Sequence, residues 1–153
     1  MRILLFLCLA IFLAACSTNN ESGQEDQATP EQNEEQKLYD EAIEAHDLVM
    51  PKYSVIQRTQ ITLEDYLEAN EVDEALSNRI ELANDNMEAA NDGMMEWMAK
   101  ISPVSKLRET KSHAEIIAFW QEMTKEINTV KQQMEESLAT GQALITELEP
   151  VSN

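Results

Sequence analysis

Residues 76–101 read LSNRIELANDNMEAANDGMMEWMAKI, and this stretch decides the fold. Leu76, Ile80, Ala83, Met87, Ala90, Met94, Trp97 and Ile101 recur at alternating steps of four and three, the spacing that gathers apolar side chains on one face of an α-helix. Asn91-Asp92-Gly93 has a turn-forming composition, and an interior Gly costs about 1 kcal/mol relative to Ala. The apolar steps pass through it in phase, so the spacing predicts one continuous helix with a close approach at Gly93. Met95 and Met98 widen the apolar face, as suits a helix that touches two neighbours.

Towards the C-terminus, Ser112-His113-Ala114-Glu115 is an S-x-x-E capping box, the start signal of a further helix. Ile116, Trp120, Met123, Ile127, Val130 and Met134 continue at steps of three and four. Leu138, Gly141, Ile145 and Leu148 follow after a shift of phase, and Pro150 stops the helix. Towards the N-terminus, Leu38, Ala42, Ala45, Val49, Tyr53, Ile56, Leu63 and Leu67 form the first apolar segment. Pro51 has no N–H to give the carbonyl of Asp47, so a kink or break is expected there. Thr62-Leu63-Glu64-Asp65 offers an alternative start. With turns near residues 70–71 and 102–111, the expected fold is all-α. It is an elongated, antiparallel three-helix bundle over residues 34–149, followed by a tail at 150–153. The alternative is a long coiled-coil oligomer. The turn near Asn70 and the Ser102-Pro103 stop oppose a single rod, while dimerisation through a leftover seam stays open.

Composition agrees with helix. Of 153 residues, only three are Gly and four Pro, and 43% are apolar, enough for one core. Eleven basic residues face 29 acidic ones, a net charge of −18 that repels phosphate backbones and argues against nucleic-acid binding.

The N-terminus sets the expected location. Arg2 precedes an apolar run over residues 3–14, 12 residues in all. That is shorter than the about 20 needed to span a bilayer and fits the apolar centre of a signal peptide. The run ends in Leu13-Ala14-Ala15-Cys16, which resembles the lipobox of bacterial lipoproteins. The resemblance implies cleavage after residue 15, acyl chains such as palmitate on Cys16, and anchoring to the membrane through them. Cys8 would leave with the leader, so no internal disulfide is expected. In diderm bacteria, an Asp after the lipidated Cys retains the protein at the inner membrane. Ser17 instead permits transfer, so the expected place is the outer membrane, facing the periplasm. Residues 17–33, STNNESGQEDQATPEQN, have Ala28 as their single apolar side chain and four acids without a base. They read as a disordered, self-repelling tether that lets the helices stand off the membrane.

Two local patterns stand apart from the helical background: Ala45-His46-Asp47-Leu48-Val49-Met50-Pro51-Lys52 and Asn91-Asp92-Gly93-Met94-Met95-Glu96-Trp97-Met98. Folding the first two segments about a turn centred on residue 71 brings His46 level with residue 96. A second turn centred near residue 106 brings Met98 level with residue 114. On this register His46, Met50, Met94, Met95, Met98 and His113 gather in one layer. Thioethers and imidazoles are soft ligands, so a Cu(I) site is one reading; core packing of Met against Trp is the other. Lys100, Lys106, Arg108 and Lys111 stand against the single acid Glu109 in the second turn, either as a contact for an anionic polymer or as a solvated loop. The sequence holds no H-E-x-x-H, Walker A or nucleophile motif, so no catalytic residue is assigned.

The same two strings resemble a group of short helical lipoproteins of the Bacteroidota, often named viral A-type inclusion proteins after their coiled-coil character. The resemblance spans residues 41–144 and is sharpest at His46, Asp47, Val49, Met50, Pro51, Lys52, Met94, Met95, Trp97 and Met98. Leu48 departs from it, standing where the group carries an acid. The resemblance implies a helical envelope lipoprotein and no activity. The expectation is therefore a non-enzymatic, lipid-anchored interaction or spacer module with an envelope protein as partner, and the alternative is a periplasmic Cu(I)-binding protein.

Overall fold

The computed structural model describes residues 28–148. The leader, Cys16, residues 17–27 of the tether and the tail with Pro150 lie outside the described residues. Among these 88% are helical and none is in a strand, so the chain is all-α. Four helices pack against each other: α1 (Pro30–Ala69), α2 (Glu74–Lys100), the single turn α3 (Val104–Leu107) and α4 (His113–Leu148).

Helix α1 starts at Pro30, four residues before the expected start of the bundle at residue 34. Thr29 caps it: Gln32 N donates to Thr29 Oγ1 at 3.2 Å, and Thr29 N donates to Gln32 Oε1 at 2.7 Å. Pro30 fills the first helical position, where a missing N–H costs nothing. From there α1 runs for 40 residues, about 60 Å at 1.5 Å per residue. It is continuous through Pro51, so of the kink or break expected there the break does not occur, and there is no second start at Thr62. Pro51 is exposed, so the carbonyl it leaves free faces water, and the buried steps Val49 and Ile56 go past it unshifted.

Burial follows a seven-residue rhythm. In α1 Glu35, Ala42, Val49, Ile56 and Leu63 are buried at steps of seven. In α2 Ile80, Ala83, Met87, Ala90, Met94 and Trp97 are buried, as the spacing predicted, and the helix is continuous through Gly93. In α4 the expected shift of phase does not occur. Ser137 is buried between Met134 and Gly141, and Leu144 carries the steps of three and four on to Leu148. A polar residue at a core position hid this continuity.

Side-chain pairs fix how the helices lie. His46 meets Trp97, and Gln60 Nε2 donates to the Asn84 carbonyl at 3.2 Å, so partners on α1 and α2 advance in opposite senses. Arg79 pairs with Glu147 and Lys100 with Glu126, so α2 and α4 also run oppositely. Tyr39 with Trp120 and Lys52 with Glu135 run in the same sense along α1 and α4. The connection expected as a plain turn contains α3, whose Val104 and Leu107 are buried and close one end of the core. The Ser112 cap is as read: Ser112 N and Oγ both donate to Glu115 Oε2, at 2.9 and 2.7 Å.

The close approach lies at Gly141, against the side chains of Thr59 and Met87, and not at Gly93. A Cβ on Gly141 would stand 2.8 Å from Thr59 Cγ2 and 3.0 Å from Met87 Sδ, whereas one on Gly93 would meet Val130 Cγ2 at an ordinary 3.5 Å. Thr59 is held in place, because its hydroxyl donates to the Val55 carbonyl at 3.0 Å. Gly93→Ala should therefore raise stability by about 0.5–1 kcal/mol through helix propensity. Gly141→Val should lower it by about 1–3 kcal/mol through overpacking. Urea unfolding followed by circular dichroism measures both, and the two midpoints should move in opposite directions.

Candidate functional site

Two constellations of side chains stand out from the packing. The first closes the end of the core near α3. Glu35 occupies one of the seven-residue core steps of α1 yet carries a charge, and it is only 3% exposed. A buried carboxylate needs partners to compensate its lost hydration. Arg108 Nε donates to Glu35 Oε2 at 2.5 Å, and His113 Nδ1 lies 2.9 Å from Glu35 Oε1. Arg108 also donates to the Gln32 carbonyl at 3.2 Å, and His113 Nε2 lies 3.5 Å from Glu34. Burial pushes the Glu35 carboxyl up, but the hydrogen bonds and charges of His113 and Arg108 outweigh this and hold it below its usual 4.5. The hydrogen bond to Glu35, with the nearby charges of Glu31, Glu35 and Glu34, lifts His113 above its usual 6.5 against a smaller desolvation effect. The cluster ties the first turns of α1 to the start of α4 and to the residue after α3.

The second constellation lies further along α1, where α1 faces α2. His46 stacks on Trp97 with ring centroids 5.4 Å apart and planes 17° from parallel. Its Nδ1 is 2.9 Å from Asp47 Oδ1, while its Nε2 is buried with no hydrogen-bond partner. Trp97 Nε1 donates to the Met123 carbonyl of α4 at 2.8 Å, which fixes the indole across the core. Met50 and Met98 are partly buried and pack on the core, and Met94 is fully buried within it.

The six residues expected in one layer therefore divide. His46 and Met98 lie at the level of Trp97 where α1 meets α2, Met50 lies one turn further along α1, and Met94, level with Met50, is inside the core. Met95 is 49% exposed and points away from that core. His113 does not join them. Its partner Glu35 is eleven residues from His46 on α1, about 16 Å along the helix axis. The error lies in the second turn. Trp97 lies against Met123, ten residues beyond His113 in α4, because the connection that holds α3 is longer than a turn centred near residue 106 allows. The first turn was placed correctly, since His46 does meet α2 beside residue 96. No group of three or more His, Cys, Asp or Glu side chains suited to a metal ion occurs among the described residues.

Two of the four cations of the basic stretch are paired. Lys100 pairs with Glu126 and Arg108 with Glu35, while Lys106 and Lys111 are exposed. The sequence reading missed Glu35 as the key partner of this end. Its signal was its place seven residues before Ala42, in step with the core. Comparison with family models, curated proteins and solved structures finds no match for this chain.

The Glu35–His113 contact makes stability depend on pH. His113 is raised in the folded state, so its contribution is complete below pH 6.5 and is lost as pH rises through its higher folded value. Glu35 is lowered, so its contribution is complete above pH 4.5 and is lost as pH falls through its depressed value. The contact is strongest between those two limits. The melting temperature should fall from pH 6 to pH 9, and His113→Gln should flatten that fall and reduce the acid limb to the part that Arg108 supplies. A thermal melt series over pH 4–9 measures both limbs.

Proposed function

We propose that the chain is a non-enzymatic lipoprotein of the bacterial envelope. In this reading Cys16 carries the lipid, the polar stretch before Thr29 is a tether, and the helices form an elongated antiparallel three-helix bundle that serves as a spacer or interaction module. The observation that carries the anchor is Leu13-Ala14-Ala15-Cys16 at the end of a 12-residue apolar run. Support for the bundle comes from the opposed senses of α1 against α2 and α2 against α4, with α3 as part of the second connection. Twelve residues, 17–28, separate Cys16 from the Thr29 cap, a reach of at most about 45 Å over the thirteen steps when fully extended. Location at the outer membrane rests on Ser17, and the proposed partner is another envelope protein. The likeness to the Bacteroidota lipoproteins, carried by residues 45–52 and 91–98, points the same way. The non-enzymatic part rests on a sequence without a recognisable catalytic motif.

Expression in a lipoprotein-processing bacterium with an alkyne-tagged fatty acid tests the anchor. The wild-type chain should carry the label and sediment with membranes, and Cys16→Ser should lose both. A labelled Cys16→Ser chain, or an unlabelled wild-type chain of uncleaved mass, would overturn the reading. Turnover of a small molecule by the purified chain would overturn its non-enzymatic part.

A further inference from the structure

We infer that the α1–α2 seam at His46 is a binding site for a soft monovalent cation of the Cu(I) class, with His46 Nε2 and the thioethers of Met50 and Met98 as its ligands. This site does not depend on the lipid anchor and would stand if the anchored reading fell.

At neutral pH the Asp47 carboxylate only accepts hydrogen bonds, so the 2.9 Å contact requires His46 Nδ1 to carry hydrogen and donate it. With the Nδ1 hydrogen directed at Asp47, Nε2 is the ring nitrogen left without a hydrogen-bond partner and open to a ligand. A carboxylate bonded to one ring nitrogen with the other left as a free lone pair is the arrangement that prepares a histidine for a metal. In core packing alone that lone pair is a buried acceptor left without a donor.

The remaining donors follow from the register. Met50 lies four residues from His46 on α1, on the same side of the helix. Met98 follows Trp97, and the pairs His46–Trp97 and Gln60–Asn84 bring its position level with His46 across the seam. Both thioethers are partly buried. The Asp47 side chain is 71% exposed and that of His46 15%, so the ring shields the inner nitrogen while the outer one reaches the solvent side. One neutral imidazole and two thioethers form a soft, uncharged donor set. That set suits Cu(I) and its redox-inert analogue Ag(I), whereas hard divalent ions prefer oxygen ligands.

The test uses the full chain in non-ionic detergent with Cys8→Ser and Cys16→Ser, so that thiols do not compete. Ag(I) is titrated with tryptophan emission as readout, and Cu(I) anaerobically against a chromophoric chelator. One equivalent should bind and change the emission of Trp97. Met50→Leu with Met98→Leu keeps the core volume and should abolish chelator-resistant binding. Asp47→Ala, at an exposed position, should weaken it about tenfold with helicity unchanged. Met95→Leu and His113→Gln should leave binding as it was. No chelator-resistant equivalent, or losses as large for Met95→Leu and His113→Gln as for the Met50/Met98 pair, would overturn the site. The ¹⁵N resonance of His46 Nε2 gives a check that needs no variant: it must shift on addition of one equivalent of Ag(I), and an unmoved resonance would overturn the assignment.

Discussion

Helix α1 can bury only one position in seven completely, and the rest of the architecture depends on that narrow contact. Ala42, Val49, Ile56 and Leu63 form the line on which both other long helices close. A contact so narrow holds two neighbours only if each presents an unbroken apolar stripe of its own, which α2 and α4 do. The volumes along the line are uneven. Trp97, Trp120 and Tyr39 fill the half nearest α3, while Gly141, Thr59 and Met87 meet in the other half, where there is no room for a Cβ on residue 141. Large side chains at one level and small ones at another give each residue a single partner level, so one register of three long helices packs without voids or clashes.

The same line explains Glu35. Its position demands an apolar side chain, and an unpaired carboxylate there would destabilise the fold. Arg108 and His113 compensate it from opposite ends of the segment that joins α3 to α4. A buried ion pair of this kind adds little net stability over an apolar residue of similar size, but removing one partner is costly. What it contributes is selectivity of arrangement: α1 can close on α4 only where Arg108 and His113 meet the acid. That fixes the α1–α4 register at this end, and His46 meets α2 at a fixed level in consequence.

Much of this was legible in the sequence, and the failures have physical causes. The α2 stripe was readable because every core step is apolar and the helix is long. The Ser112 cap was readable because both reciprocal partners are present. Ser137, Thr59 and Glu35 broke the apolar pattern at core positions, so the rhythm of α4 and the first step of α1 were misread. The Thr29-Pro30 start was hidden inside a polar stretch, where capping chemistry and tether composition look alike. Helix α3, four residues long, lies below the length at which periodicity shows. Missing it shortened the second turn and drew His113 into a layer it does not share. The pairing of His46 with the Trp97 level needed only the first turn, whose short polar connection leaves little freedom, and that part was placed correctly.

The clasp between Arg108 and the first turns of α1 also has a mechanical meaning. Any tension transmitted through residue 28 enters the fold at Pro30, and the Gln32 carbonyl and Glu35 carboxylate take that load within two turns. Because α1 and α4 run in the same sense, such a pull slides α1 along α4 lengthwise instead of peeling it away. The bonds around Arg108 and His113 are then strained together. Resistance to being drawn out by the N-terminus is thus concentrated in a few charged groups, far from the aliphatic steps that hold the rest of the molecule.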